Sequence, residues 1–227
     1  MSLSGFSGKW LTKERLRVYP CIFLVTYILV ILIWVLMANG VFDRQGRPLG
    51  TDFTSFYSAA QLALDGQAPL AYDFSAQFKA ERVALGPELE DFYSFSYPPT
   101  FILILMPLGA LPYLWALFVW QGLTLLLFVS MVVKLAGRNE AIMLTLAFPA
   151  VFVTLGHGQN AFLTAGLFTG ALYYLDRKPI LAGLLIGLLT FKPHLGLLIP
   201  IVLIASCRWR VFFSACISAV SFILVSW

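Results

Sequence analysis

The run Pro20-Cys21-Ile22-Phe23-Leu24-Val25-Thr26-Tyr27-Ile28-Leu29-Val30-Ile31-Leu32-Ile33-Trp34-Val35-Leu36-Met37-Ala38 decides the class of fold. It carries no charge over 19 positions. At about 1.5 Å per helical residue, that length approaches the roughly 30 Å hydrocarbon core of a bilayer. Lys9, Lys13, Arg15 and Arg17 precede it. Because Lys and Arg gather on the cytoplasmic side of a membrane, residues 1–19 are expected to form a basic cytoplasmic N-terminus and residues 20–38 the first transmembrane helix. A secretory leader would have a shorter apolar part and a small-residue cleavage site, so the run reads as an anchor.

Composition extends the same reading to the whole chain. Of the 227 residues, 60% are hydrophobic and 11% charged, against about 45–50% and about 25% in soluble domains. Eight of the 11 acidic residues fall between positions 41 and 97, with Arg44, Arg47, Lys79 and Arg82, so this segment is net −4 and the remainder +8. The basic residues of the remainder border apolar runs, where membrane topology explains them, and no nucleic-acid partner is implied. Segment 41–97 is too polar to span and is expected to be a large extracytoplasmic loop. Cys21, Cys207 and Cys216 lie in or beside apolar runs and read as small hydrophobes. His157 and His194 make no zinc spacing, and neither a phosphate loop nor a nucleophile elbow occurs, so no metal or cofactor is expected.

Further apolar runs follow at 98–111, 113–133, 141–156, 161–175, 180–191, 195–206 and 211–227. Their basic borders, Lys134/Arg138, Arg177/Lys178 and Arg208/Arg210, can all be cytoplasmic only if one run does not cross. The run 98–111 opens with Pro98-Pro99, contains Pro107 and meets Pro112, and is expected to be re-entrant or interfacial. Residues 98–227 then form a transmembrane helix bundle, and Asp52, Tyr97, the turn at 156–160 and the turn at 192–194 all face outward. The predicted architecture is an all-α polytopic membrane protein whose first extracytoplasmic loop carries short amphipathic helices. Gly166/Gly170 and Gly183/Gly187 are pairs of small residues that allow helices to approach closely. The chain ends at Trp227 within an apolar run without a closing basic border, as expected for the N-terminal part of a longer membrane protein.

Several polar residues stand at the expected outer boundary. Phe53, Phe56, Tyr57, Ala60 and Leu64 recur at helical spacing, which predicts a short amphipathic helix lying on the membrane surface, with Asp52 at its start. Asp52 there is either an N-cap or a carboxylate that takes a proton from a hydroxyl nucleophile. Lys192 follows an apolar run and precedes Pro193-His194. An ammonium in a helix centre costs about 2.5–3.5 kcal/mol, so Lys192 either snorkels to the surface or faces an anion such as a lipid phosphate, with His194 as a second donor. Gly156-His157-Gly158-Gln159-Asn160 is either a tight helix–helix turn or a carbohydrate-binding turn. Tyr93, Phe95, Tyr97 and Trp115 fit sugar stacking and an interfacial aromatic belt equally well.

Taken together these motifs resemble glycosyltransferase family 87. The resemblance is carried by Thr51-Asp52-Phe53-x-x-Phe56-Tyr57-x-Ala59-Ala60, Leu64-x-Gly66, Ala71-Tyr72-Asp73, Tyr97-Pro98-Pro99, Pro107-Leu108, Leu111-Pro112, Gly158-Gln159-Asn160, Ala182-Gly183 and Phe191-Lys192-Pro193-His194. The order of these motifs across residues 50–210, more than any one of them, makes the likeness specific. That family includes mannosyltransferases dependent on polyprenol-phosphate mannose and has the GT-C membrane fold.

The resemblance implies transfer of mannose, or another hexose or pentose, from a polyprenyl-phosphate donor to a lipid or glycan acceptor at the extracytoplasmic face of the cytoplasmic membrane. It implies Asp52 as general base, by its position in the first outer loop. Lys192 and His194 are then candidates for the donor phosphate, and Tyr97, His157, Gln159 and Asn160 for other substrate contacts. Inversion is expected, since direct attack by one activated hydroxyl requires no second carboxylate as nucleophile. Metal independence is expected from the lack of an evident acidic pair, the open alternative being a pair that Asp52 forms with Asp73 or Asp91 in three dimensions. A lipid-sugar flippase, or a membrane subunit that binds without turnover, are the competing readings of the same residues. GT-C members are about twice this length, which is consistent with the expected truncation.

Overall fold

The computed structural model describes Thr12 and residues 14–226. Lys9 and Lys13 of the basic border and Trp227 at the end of the last apolar run lie outside the described residues. The chain is all-α, and among the described residues the extended pairing is limited to isolated bridges at Asn39, Phe42 and Pro48.

Helix α1 runs Arg15–Leu36 and exposes most of its apolar side chains, as a helix against lipid would. Tyr27 stacks on Phe152 at 4.7 Å, and Trp34 Nε1 donates to Asp43 Oδ2 at 3.2 Å, which pins the start of the loop to the end of the helix. Within the loop lie α2 (Thr51–Leu64), a 3₁₀ turn at Ala68–Tyr72 and α3 (Phe74–Leu85). Asp73 caps α3 by accepting from the Ala76 N–H at 2.8 Å. Then come α4 (Pro99–Leu105), a second 3₁₀ turn at Met106–Ala110, and α5 (Tyr113–Ala136). The 12 residues from Pro99 to Ala110 extend only about 20 Å, short of a bilayer core.

The remaining helices are α6 (Glu140–Leu146), α7 (Pro149–His157), α8 (Ala161–Tyr174), α9 (Pro179–Gly187), α10 (Leu195–Ala205) and α11 (Trp209–Val225), with a 3₁₀ turn at Leu188–Phe191 after α9. Among the described residues α1 and α5 are each long and apolar enough to cross a membrane, and α6 with α7 forms one bent pair at 56°. Glycine sets two helix contacts. A Cβ on Gly166 would meet Leu127 Cγ at 2.8 Å, and one on Gly183 would meet Ser214 Cβ at 2.6 Å, so α8 lies close on α5 and α9 close on α11.

One expectation is corrected. The helix beginning near Asp52 does not lie on the surface: from Phe53 to Ala60 every residue of α2 is buried. The 3₁₀ turns at 68–72 and 106–110, together with α3 and α4, cover it, so its apolar stripe and its small polar face are both inside. Gly109 permits this, because a Cβ there would stand 3.0 Å from the backbone carbon of Ala60. Phe53, Phe56, Phe101, Trp120 and Phe191 form the centre of the core, packed mostly edge to face.

Candidate functional site

Asp52 owes its position to the entry into α2. Gly50 holds the N-cap place at φ 76°, a left-handed conformation that favours glycine, and a Cβ there would meet Leu117 Cδ1 at 2.8 Å. The Tyr113 hydroxyl donates to Leu49 O at 2.7 Å and ties that entry to α5. Asp52 therefore falls in the first turn with no capping bond of its own, and its half-buried carboxylate faces a cavity.

That cavity, about 490 Å³, is lined by Asp52, Ser55, Tyr97, Gln159, Lys192 and His194, with Ser94 and Ser96 on one wall. Lys192 reaches it because its neighbour Phe191 is fully buried and stacks on Phe101 at 5.0 Å. The chain leaves the 3₁₀ turn there, and Lys192, Pro193 and His194 all line the same cavity as Asp52. Among the described residues neither the Lys192 nor the His194 side chain has a hydrogen bond or an ion pair; the salt bridge between Arg208 and Asp176 lies away from the cavity. Tyr97 packs on Phe101 at 4.7 Å, and its carbonyl accepts from the Tyr72 hydroxyl at 2.9 Å.

The turn between α7 and α8 supplies Gln159. Gly158 has φ 68°, and a Cβ there would stand 2.6 Å from Phe53 Cβ, so this turn lies directly on the start of α2. Gln159 Nε2 donates to Asp52 Oδ2, and Gln159 Oε1 accepts from the Asn160 N–H at 3.1 Å. His157 Nδ1 is 2.8 Å from the Thr51 hydroxyl.

Of the residues singled out in the sequence, Asp52, Tyr97, Gln159, Lys192 and His194 therefore meet at one cavity, while His157 and Asn160 are not on its wall. His157 is exposed beside Thr51, and Asn160 is fully buried behind Gln159. Tyr93 and Phe95 also lie off the wall, and Trp115 is exposed beside Phe118. Asp73 is occupied in capping α3, where the Ser75 hydroxyl and the Ala76 N–H hold its carboxyl below the usual range.

Sequence reasoning missed Ser55, Ser94 and Ser96. A signal for the last two exists in Tyr93-Ser94-Phe95-Ser96-Tyr97. In an extended chain alternate residues share a face, and here Phe95 enters the core while both serines stay exposed at the cavity. Behind this segment lies a buried carboxylate. Glu81, on α3, accepts the Tyr93 N–H at 3.2 Å and the Gln77 amide at 3.4 Å, and burial pushes its pKa up to about 7.

Past Lys192 and Pro193 the polar cavity gives way to an apolar one of about 340 Å³ between α10, α11 and the 3₁₀ turn, and both residues line the two spaces. Ile199, Leu203, Phe212 and Cys216 are among its walls.

Comparison with curated proteins and with solved structures gives no significant match. Residues 95–227 match the family model described as Glycosyltransferase family 87, a region that contains Tyr97, Gln159, Lys192 and His194 and begins beyond Asp52. Since that region covers more than half of the 227 residues, the chain belongs to glycosyltransferase family 87 and is a membrane glycosyltransferase.

Proposed function

We propose that this protein transfers a sugar from a polyprenyl-phosphate donor to a hydroxyl of a lipid or glycan acceptor, at the extracytoplasmic face of the cytoplasmic membrane. The observation that carries this reading is that Asp52, Lys192 and His194 line one cavity, and that Lys192 and Pro193 also line a neighbouring apolar groove. Asp52 accepts the proton of the acceptor hydroxyl as its oxygen attacks the anomeric carbon. The bond from that carbon to the phosphate oxygen breaks, and its electrons leave with the polyprenyl phosphate. The charge that develops on the departing phosphate is met by the Lys192 ammonium and the His194 ring.

Attack from the face opposite the phosphate inverts the configuration in one displacement, without a glycosyl-enzyme intermediate. The prenyl chain lies in the groove between α10 and α11. Because lipid tails are as apolar as the groove, this contact orients the donor more than it draws it from the bilayer. This displacement calls for no metal, and turnover is expected to persist in excess chelator. The sugar is mannose or a related hexose or pentose.

The decisive experiment is a transfer assay in membranes with radiolabelled polyprenyl-phosphate mannose, comparing the native protein with Asp52→Asn. Formation of a new glycosidic bond that disappears in Asp52→Asn supports the reading. Native rates in Asp52→Asn would remove the base assignment, and movement of labelled lipid across the bilayer with no new bond would favour a transporter.

A further inference from the structure

The two ends of a glutamine amide are told apart by their partners. Gln159 Oε1 accepts the Asn160 backbone N–H at 3.1 Å, which leaves Nε2 as the end turned to Asp52 Oδ2. The opposite orientation would set an amide oxygen against a carboxylate oxygen and two N–H groups against each other. The protein therefore occupies one oxygen of Asp52 with a defined donor, while among the described residues Oδ1 has no hydrogen bond.

The support for this donor is stiff. Trp120 Nε1 donates to Gly158 O at 3.1 Å, and Gln121 Nε2 donates to Thr154 O at 2.8 Å, so α5 holds the turn from behind. From the front, Gly158 rests on Phe53, and His157 is bonded to Thr51 at 2.8 Å. Residues on both sides of Asp52 are thus fastened to the turn that carries Gln159. An ordinary helix–helix turn needs none of these bonds to the first turn of a distant helix.

We infer that Gln159 is a positioning residue: it fixes the Asp52 carboxylate by one oxygen, so that Oδ1 is the atom presented to the acceptor hydroxyl. The inference rests on Asp52 being the base and assigns to the turn a task other than sugar binding. A freely rotating carboxylate would spend much of its time with neither lone pair aimed at the hydroxyl, which lowers the rate of proton transfer without weakening substrate binding.

The test uses the full chain in membranes. Gln159→Ala is expected to lower kcat by roughly 10- to 100-fold with KM for donor and acceptor unchanged. Gln159→Glu has nearly the same shape and asks a different question. Its carboxyl can donate to Asp52 only while protonated, and two adjacent carboxyls share one proton. Its kcat is therefore expected to begin falling at lower pH on the alkaline side than that of the native enzyme, whose own fall there follows loss of the Lys192 ammonium; with no positioning role the variant's alkaline limb would coincide with the native one.

A Gln159→Ala enzyme within about twofold of native kcat, a loss expressed in KM alone, or a Gln159→Glu alkaline limb that coincides with the native one would each overturn the inference. If Gln159→Ala does not fold, the pH profile of Gln159→Glu decides alone. Loss of activity in Asp52→Asn combined with native kcat in Gln159→Ala removes this inference and leaves the base assignment standing. Native activity in Asp52→Asn removes both.

Discussion

Phe191 stacks on Phe101 at 5.0 Å with 21° between the ring planes, and this contact brings Lys192 to the cavity that Asp52 lines. Both rings are fully buried, so the register of the turn after α9 is fixed by the core and not by the cation. Phe191→Ala should cost about 3–5 kcal/mol through the cavity it leaves. It should also lower transfer more than Lys192→Gln does, because the whole Lys192-Pro193-His194 segment loses its anchor. Thermal unfolding in detergent and the transfer rate, measured on the same preparation, check the two parts.

Lys192→Gln keeps much of the side chain's bulk and removes its charge. If the ammonium meets the departing phosphate, kcat should drop by about 10²- to 10³-fold, the effect of removing one preorganised charge-stabilising group. Lys192→Arg should recover part of this, since a guanidinium still pairs with phosphate but holds its donors in a different geometry. Single-turnover rates with a saturating donor separate this from a binding defect.

Cys216 lies in the wall of the apolar groove and is exposed, so a larger side chain there fills space without crowding the core. Cys216→Trp should reduce kcat/KM about tenfold, equivalent to about 1.4 kcal/mol, for a long-chain polyprenyl-phosphate sugar. A donor analogue with one or two prenyl units should be unaffected. Equal losses for both donors would count against the groove as the path of the prenyl chain.

Glu81 should make stability fall as pH rises. Its folded pKa, about 7, exceeds the ordinary value of 4.5, so the folded state keeps a proton that the unfolded state releases. The stabilisation is complete below pH 4.5 and is lost between there and about 7. At about 1.4 kcal/mol per unit, the loss is roughly 3 kcal/mol. Glu81→Gln should flatten this dependence and raise the unfolding temperature at pH 8 relative to the native protein. Unfolding midpoints at pH 5 and at pH 8 give the comparison.

Much of the helical framework could be read from pattern. The apolar runs at 113–133, 161–175 and 195–206 became α5, α8 and α10 because their length and composition leave little alternative. The buried state of α2 could not be read this way. Its stripe of Phe53, Phe56, Tyr57 and Ala60 has the same spacing whether one face meets lipid or both faces meet protein. The choice was made by the turn at Met106–Ala110, more than 40 residues away, whose Gly109 admits the backbone of Ala60. Asn160 was legible as polar, but its place behind Gln159 follows from the path of the turn.

By itself, then, the sequence determined an all-α membrane protein and the residue types available for chemistry, because hydrophobic length, charge borders and proline placement act locally along the chain. Only the tertiary structure decided which of those residues meet. Asp52, Gln159 and Lys192 come from segments separated by more than 100 and then by more than 30 positions. Their meeting depends on Gly50 and Gly158 turning in the left-handed region and on Phe101 holding Phe191. Such contacts arise from packing between distant elements, a physical cause that no local periodicity records.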